Sequence, residues 1–281
     1  MATHDDLIKV FEDTQKFYGE NETLKKSVAE SIEGTKIYFE NENPVIGEKR
    51  FNATEISVGK YRTFETAQYY QKKFPEAKIA VLNFASATNP GGGVVHGSRA
   101  QEESLCRCST LYPVLATDEL WKKFYKFHRD NYTAKYTDAC IFTPKIFVIK
   151  SDEDLPQKLP QEKWIQVDVL TCAAPNLKTH PNNKYNPGST KPARITDEEL
   201  FAIHKQRGRH ILSIAAHHEA DILILGAFGC GAFKNNPDVV AKAYAEILPE
   251  FDGFFQKIAF AIYCPPGKKE NFLAFKKFLD K

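Results

Sequence analysis

Two nearly unbroken apolar runs, Ile79–Phe84 and Asp221–Leu225, each give way at once to a glycine-rich loop and then to a helical pattern. A strand with one wet face alternates apolar and polar residues. A run that is apolar at almost every position belongs to a strand covered on both faces, as in a parallel sheet under helices. The rest of the chain repeats the theme. Trp164–Leu170 and Ile258–Tyr263 read as strands, Thr196–Glu219 as a long amphipathic helix, and Lys269–Leu279 as the last helix, with another beginning at Pro237. This alternation predicts an α/β fold with a mixed, largely parallel sheet between helical layers.

The first third is more irregular. Residues 4–32 read as two short helices: Leu7, Val10, Phe11 and Phe17 form a stripe, and Asn21-Glu22-Thr23-Leu24 opens the second. Thr35–Phe39 and Thr54–Val58 are expected strands, and Phe64–Phe74 a helix that stops before Pro75. Further helices are expected from Arg99 to Leu111 and over Asp118–Asp130, and one or two strands over Ala139–Ile149, broken at Pro144. Residues 178–194, rich in Pro, Asn, Gly and Lys, read as a long loop. The expected division is an accessory helical segment, 1–50, and a main domain, 51–281.

At 281 residues and 42% hydrophobic, the chain has enough apolar material for a sizeable core. A net charge of +2 gives no strong field toward nucleic acid or membrane. Cysteines 106, 108, 140, 172, 230 and 264 are scattered and contain no C-x-x-C pair, which argues against a zinc site and for reduced thiols. The acidic N-terminus has no apolar run, and no stretch suits a bilayer. A cytoplasmic or nuclear location is expected. His217-His218-Glu219 lacks the H-E-x-x-H spacing of a zinc helix and reads as surface, whereas Phe124, Tyr125 and Phe127 read as packing.

The chemistry is expected at the two glycine loops. Asn89-Pro90-Gly91-Gly92-Gly93 lies just past a buried strand, where ligands bind in open α/β sheets. Glycines there let backbone N–H groups approach a ligand. Ser98-Arg-Ala-Gln101 has the spacing of a capping box, which would place Gln101-Glu102-Glu103 in the first turn of the following helix. Two acids at a helix start are ordinarily solvated partners of its dipole. The second loop, Gly226-Ala-Phe228-Gly229-Cys230-Gly231-Ala-Phe233, precedes Asn236-Pro237, a good helix opening. Strand, glycine loop and helix N-terminus together receive phosphate. The G-x-x-G-x-G order is neither the Rossmann nor the Walker pattern.

Gly91-Gly-Gly93, seven residues, and Gln101-Glu102-Glu103 resemble the signature of poly(ADP-ribose) glycohydrolases. The flanking Asn83–Pro90 and Ser104–Tyr112, with Ala173-Ala-Pro-Asn176 and the loop Gly226–Phe233, resemble the microbial branch, and the likeness covers nearly the whole chain. The resemblance implies a macrodomain-like three-layer α/β/α fold with an N-terminal helical extension. It implies that Gly91, Gly92, Gly93, Gly226, Gly229, Cys230 and Gly231 lie in loops that embrace the diphosphate and distal ribose of ADP-ribose. Asn89 would contact that ribose, Phe228 shape its pocket, and Gln101 belong to the substrate site. Glu103 would be catalytic and Glu102 would hold a ribose hydroxyl; Tyr263 is a stacking candidate for adenine. The implied reaction is hydrolysis of ribose–ribose bonds in poly(ADP-ribose), mainly from the chain end, with ADP-ribose as product and ADP-ribosylated proteins as partners. Neither metal nor cofactor is expected. A non-hydrolysing ADP-ribose reader and a hydrolase of single ADP-ribosyl groups are the alternatives; the reader has no use for Gln101-Glu102-Glu103.

Overall fold

A computed structural model describes residues 2–280 apart from 41, 43, 132 and 182–190. The chain opens with helices α1 (His4–Glu20) and α2 (Glu22–Gly34). Thr3 and Asp6 cap α1 reciprocally, and the Asn21 side chain accepts the Leu24 N–H at the start of α2. Strands β1 (Lys36–Tyr38) and β2 (Glu55–Gly59), helix α3 (Thr63–Lys73) and strand β3 (Ile79–Phe84) follow. The expected Arg99–Leu111 helix is two pieces, α4 (Gln101–Cys108) and α5 (Leu111–Leu115).

The expected Asp118–Asp130 helix is α6 (Asp118–Leu120) and α7 (Lys126–Asp130), joined by a π-helical turn over Trp121–Tyr125. Strand β4 (Cys140–Val148) is a single strand whose register shifts between Thr143 and Ile146, so Pro144 bends it without ending it. Strand β5 (Ile165–Cys172), helix α8 (Asp197–His217), strand β6 (Ile222–Leu225), helix α9 (Pro237–Ile247), strand β7 (Lys257–Ala261) and helix α10 (Glu270–Leu279) complete the order. Thr196 and Glu199 form a capping box on α8, and Asn236 caps α9 with Pro237 in its first turn. Of the expected loop 178–194, residues 182–190 lie outside the described residues.

Among the described residues the sheet has seven strands in the order β1-β4-β5-β3-β6-β7-β2. The five from β5 to β2 run parallel; β4 is antiparallel to both β1 and β5. Each face carries its own core. Ile211, Tyr244, Phe260 and Phe275 pack beneath α8, α9 and α10, while Phe11, Phe64, Leu105 and Ile224 pack beneath α1, α3 and α4. Strand β1 lies within the first fifty residues, so that segment adds a strand to the common sheet as well as a helical layer. Among the described residues no helix is long and apolar enough to cross a membrane.

Candidate active site

A cavity of about 620 Å³ opens at the carboxyl ends of the central strands. Strand β3 delivers Phe84, Ser86, Gly92 and Gly93 to its wall, and β6 delivers the loop that contains Phe228, Gly229, Gly231 and Phe233. Two parallel neighbours that each end in a glycine loop leave a crevice between those loops, the general ligand position of open α/β sheets.

Helix α4 supplies two carboxylates, Glu102 and Glu103. Its first residue is Gln101 with Ala100 as N-cap, so the expected capping box of Ser98 with Gln101 is not formed. The Gln101 side chain instead accepts the Phe84 N–H at 2.9 Å and donates to the Leu82 carbonyl at 2.7 Å, which ties the helix start to the end of β3. The expected helix opening is thereby displaced from Ser98 to Ala100, and the carboxylates that follow face inward rather than water.

Glu102 is 2% exposed. Its Oε2 accepts the Ser86 N–H at 2.6 Å, and its Oε1 accepts from Asn83 Nδ2 at 3.3 Å. Burial, and then the neighbouring charge of Glu103, push the Glu102 carboxyl well above the usual range against these hydrogen bonds. Glu103 is 7% exposed; its Oε1 accepts the Gly93 N–H at 2.9 Å, whereas Oε2 is buried with no hydrogen-bond partner among the described residues. The two acids therefore differ: Glu102 is held at both oxygens and Glu103 at one.

The glycines divide by function. Gly92 has φ +58°, and a Cβ there would lie 2.6 Å from Glu103 Oε1 and 3.1 Å from Glu102 Oε2. Gly91 (φ +67°) backs onto Tyr112 and Cys106. In the second loop, a Cβ on Gly226 would strike the Ala261 carbonyl at 2.6 Å, and one on Gly229 (φ +79°) would meet Ala174 and Asn235. Gly231 differs: nothing lies within 4 Å of the Cβ position, and the residue lines the cavity.

Glu102, Glu103, Gln101, Gly92, Gly93, Phe228, Gly229, Gly231 and Tyr263 all line this one hollow. Asn89, Gly91, Gly226 and Cys230 are set back from it. Asn89 Oδ1 receives a hydrogen bond from Arg129, which also donates to the Thr88 carbonyl, and Cys230 Sγ turns toward the Phe228 carbonyl. Phe228 is buried between Phe84 and His204, with ring centroids 5.7 Å away in each case. Tyr263 is half exposed at the rim, with the Arg62 guanidinium 4.0 Å from its ring centroid.

Sequence reading missed several members. Asp152 lines the cavity, accepts the Ser104 hydroxyl at 2.8 Å and the Phe64 N–H at 3.0 Å, and is pushed upward by burial. Arg62 carries no local pattern either, and Phe233 enters the sequence reading only as the end of the second glycine loop. A separate hollow of about 610 Å³ on the outer side of α8 contains Lys205 and Arg209, already paired with Glu246 and Glu250. It lacks a glycine loop.

A hollow walled by backbone on two sides and acidic at one helix start belongs to the macrodomain-like α/β hydrolases. Residues 8–151 match the family described as microbial-type PARG, catalytic domain. The chain belongs to this family and is a poly(ADP-ribose) glycohydrolase. It is 28% identical to poly(ADP-ribose) glycohydrolase from Thermomonospora curvata over 97% of this chain and 99% of that one, with a TM-score of 0.83. The same relative bound to the inhibitor ADP-HPD gives 28% identity over 97% and 99%, with a TM-score of 0.80. The enzyme from Deinococcus radiodurans in complex with ADP-ribose is 30% identical over 90% and 97%, with a TM-score of 0.74. No curated protein sequence matches the chain.

Proposed function

We propose that Glu103 is the general acid and base of this hydrolysis, that Glu102 braces the site, and that cleavage proceeds mainly from the polymer end. The carrying observation is the asymmetry of the Glu103 carboxylate: Oε1 is fixed by the Gly93 N–H and Oε2 has no hydrogen-bond partner among the described residues. The scissile bond joins the anomeric carbon of one ribose to a hydroxyl oxygen of the next unit. Glu103 gives its proton to that departing oxygen as the C–O bond breaks and an oxocarbenium-like centre develops. Water then adds to the anomeric carbon and returns a proton to Glu103, which restores the acid.

The ADP-ribose-bound and inhibitor-bound relatives support a site for ADP-ribose in this cavity. Its diphosphate would lie along the Gly92-Gly93 and Gly229–Gly231 backbones, with the distal ribose between Phe228 and the acids and adenine toward Tyr263 and Arg62. Asn89, held by Arg129, would act at the ribose from its set-back position. ADP-ribosylated proteins are the partners in this reading, and the cytoplasm is its compartment. Residues 1–50 act as an accessory to the catalytic body 51–281.

Work from the chain end follows from what closes the cavity. Asn271 of α10 lines it, and Arg99 on its wall is hydrogen-bonded to the Ala2 carbonyl just before α1. An enclosed terminal unit fits such a site; an internal unit needs an open channel. A time course on long labelled polymer, resolved by chain length, is expected to release single ADP-ribose with few early oligomers. Early free oligomers would overturn end cutting, and normal turnover by Glu103→Gln in the same assay would overturn the assignment of Glu103.

A further inference from the structure

Helix α4 carries a buried cation that the reaction above does not use. Arg107 is 3% exposed and lies one helical turn beyond Glu103. A guanidinium stays charged in proteins, so its burial demands compensation. Its Nη1 donates to the Ser98 carbonyl at 2.6 Å, while its Nε is buried with no hydrogen-bond partner among the described residues. That hydrogen bond goes to backbone, in the segment that links the first glycine loop to α4.

That bond completes a ring. Ser98 N–H donates to the Gly93 carbonyl at 3.1 Å, Gly93 N–H donates to Glu103 Oε1 at 2.9 Å, and α4 connects Glu103 back to Arg107. Gly93 is crowded against Ser98, whose Oγ would stand 2.4 Å from a Cβ at that position. Outside the ring, the fully buried Thr14 of α1 has its hydroxyl 2.6 Å from the Arg107 carbonyl. Farther along, Lys150 donates to the Val10 carbonyl of α1 at 2.8 Å and pairs with Asp13 at 2.8 Å. At the start of α1, the His4 carbonyl sits where a Cβ on Gly97 would be, 2.4 Å away. Helix α1 is therefore seated on both ends of the Gly93–Arg107 segment.

We propose that Arg107 is a positioning residue for the glycosidic cleavage: through Ser98 and Gly93 it fixes the direction of the Glu103 carboxylate, and Thr14 of α1 holds Arg107 in place. The inference rests on the assignment of Glu103 as acid. A merely structural arginine would affect folding, or binding and turnover alike. A positioning residue lowers turnover while the cavity still binds product, because a small misplacement of a reacting group costs rate more than affinity.

The test uses the full chain with Arg107→Met, Arg107→Lys and Thr14→Val, beside Glu103→Gln. Melting temperature, ADP-ribose affinity by calorimetry, and kcat and KM on polymer are measured for each. Arg107→Met is expected to lose about 10²-fold in kcat. Its KM and ADP-ribose affinity should stay within about threefold of wild type. Arg107→Lys should recover part of the loss, and Thr14→Val should show a smaller loss of the same kind. A folded Arg107→Met enzyme with normal kcat, or one that loses affinity and kcat together, overturns the proposal. Should that variant not fold, Thr14→Val decides: reduced kcat with intact affinity supports the ring, and unchanged kcat sinks it. Normal turnover by Glu103→Gln would remove the acid assignment itself. An inactive Glu103→Gln beside a normal Arg107→Met would remove this inference alone.

Discussion

The amide of Gly93 donates to Glu103 Oε1 at 2.9 Å across ten residues of chain. One carboxylate oxygen is thus anchored by backbone that no side-chain substitution removes, and the other keeps its capacity for substrate. In Glu103→Gln the amide oxygen can still accept from Gly93. The variant should therefore fold and bind ADP-ribose while polymer hydrolysis falls by about 10²–10⁴-fold, the usual loss when a proton donor goes. Calorimetry and product release check the two halves, and near-normal turnover would refute the role given to Glu103.

The two glycine loops should respond differently to an added side chain. Gly231→Val adds atoms toward the cavity, where no heavy atom lies within 4 Å of the Cβ position, although a branched side chain lowers backbone freedom. It should leave the melting temperature nearly unchanged and weaken ADP-ribose binding. Gly92→Ala must instead push aside Glu103 Oε1 at 2.6 Å with the backbone at φ +58°, so it should lose stability and turnover together. Equal affinity in wild type and Gly231→Val would mean that the diphosphate does not approach this loop.

Glu102 should make the ligand-free protein pH-sensitive. Its folded carboxyl is raised above its ordinary value of 4.5 by burial, so the folded state binds its proton more tightly than the unfolded chain. The associated stability is present below pH 4.5 and is lost as pH rises through the folded value. Glu102→Gln carries no such proton. The melting temperature of wild type relative to this variant should therefore fall as pH is raised above 4.5. A constant difference over that range would show that Glu102 is not shifted upward.

His204 should act in the opposite direction. It is fully buried, with Nε2 2.7 Å from Asn235 Oδ1 and its ring edge-on to Phe228, and burial lowers it from 6.5 to about 4. Its contribution is present above pH 6.5 and lost as pH falls toward 4, because the unfolded chain takes the proton first. Asn235 also donates to the Pro175 carbonyl at 2.7 Å, so its Oδ1 accepts from His204 Nε2, and the second proton of a charged ring would fall on Nδ1, which is buried with no hydrogen-bond partner among the described residues. The stability advantage of wild type over His204→Gln should shrink between pH 6.5 and 4. A widening advantage would contradict a buried neutral imidazole.

What sequence made legible was the part written locally. Apolar runs such as Ile79–Phe84 disclosed the central strands, because two covered faces leave no room for polar alternation. The glycine triplet followed by Gln101-Glu102-Glu103 marked one wall of the cavity. The capping spacing points to Ser98, but a tertiary partner, the end of β3, claims Gln101 and the helix opens at Ala100. In the second loop the glycine spacing looked like a uniform cradle, yet Gly226 is needed to pass the Ala261 carbonyl and Gly229 to pass Ala174. Those demands come from strands distant in sequence. So do the pairs Asp152–Ser104 and His204–Asn235, which leave no periodic trace.

The pairing of β3 with β6, which sets Ile79 opposite Ile222, also bears on how the chain reaches this state. The cavity's two walls follow strands about 140 residues apart, and such distant partners meet only after a large loss of chain freedom. Helices such as α8 and α9 need no such encounter to begin forming. Recovery from denaturant should therefore show helical signal first and ligand-binding competence later. A partly folded chain could hold most of its helices while its active cleft is still unassembled.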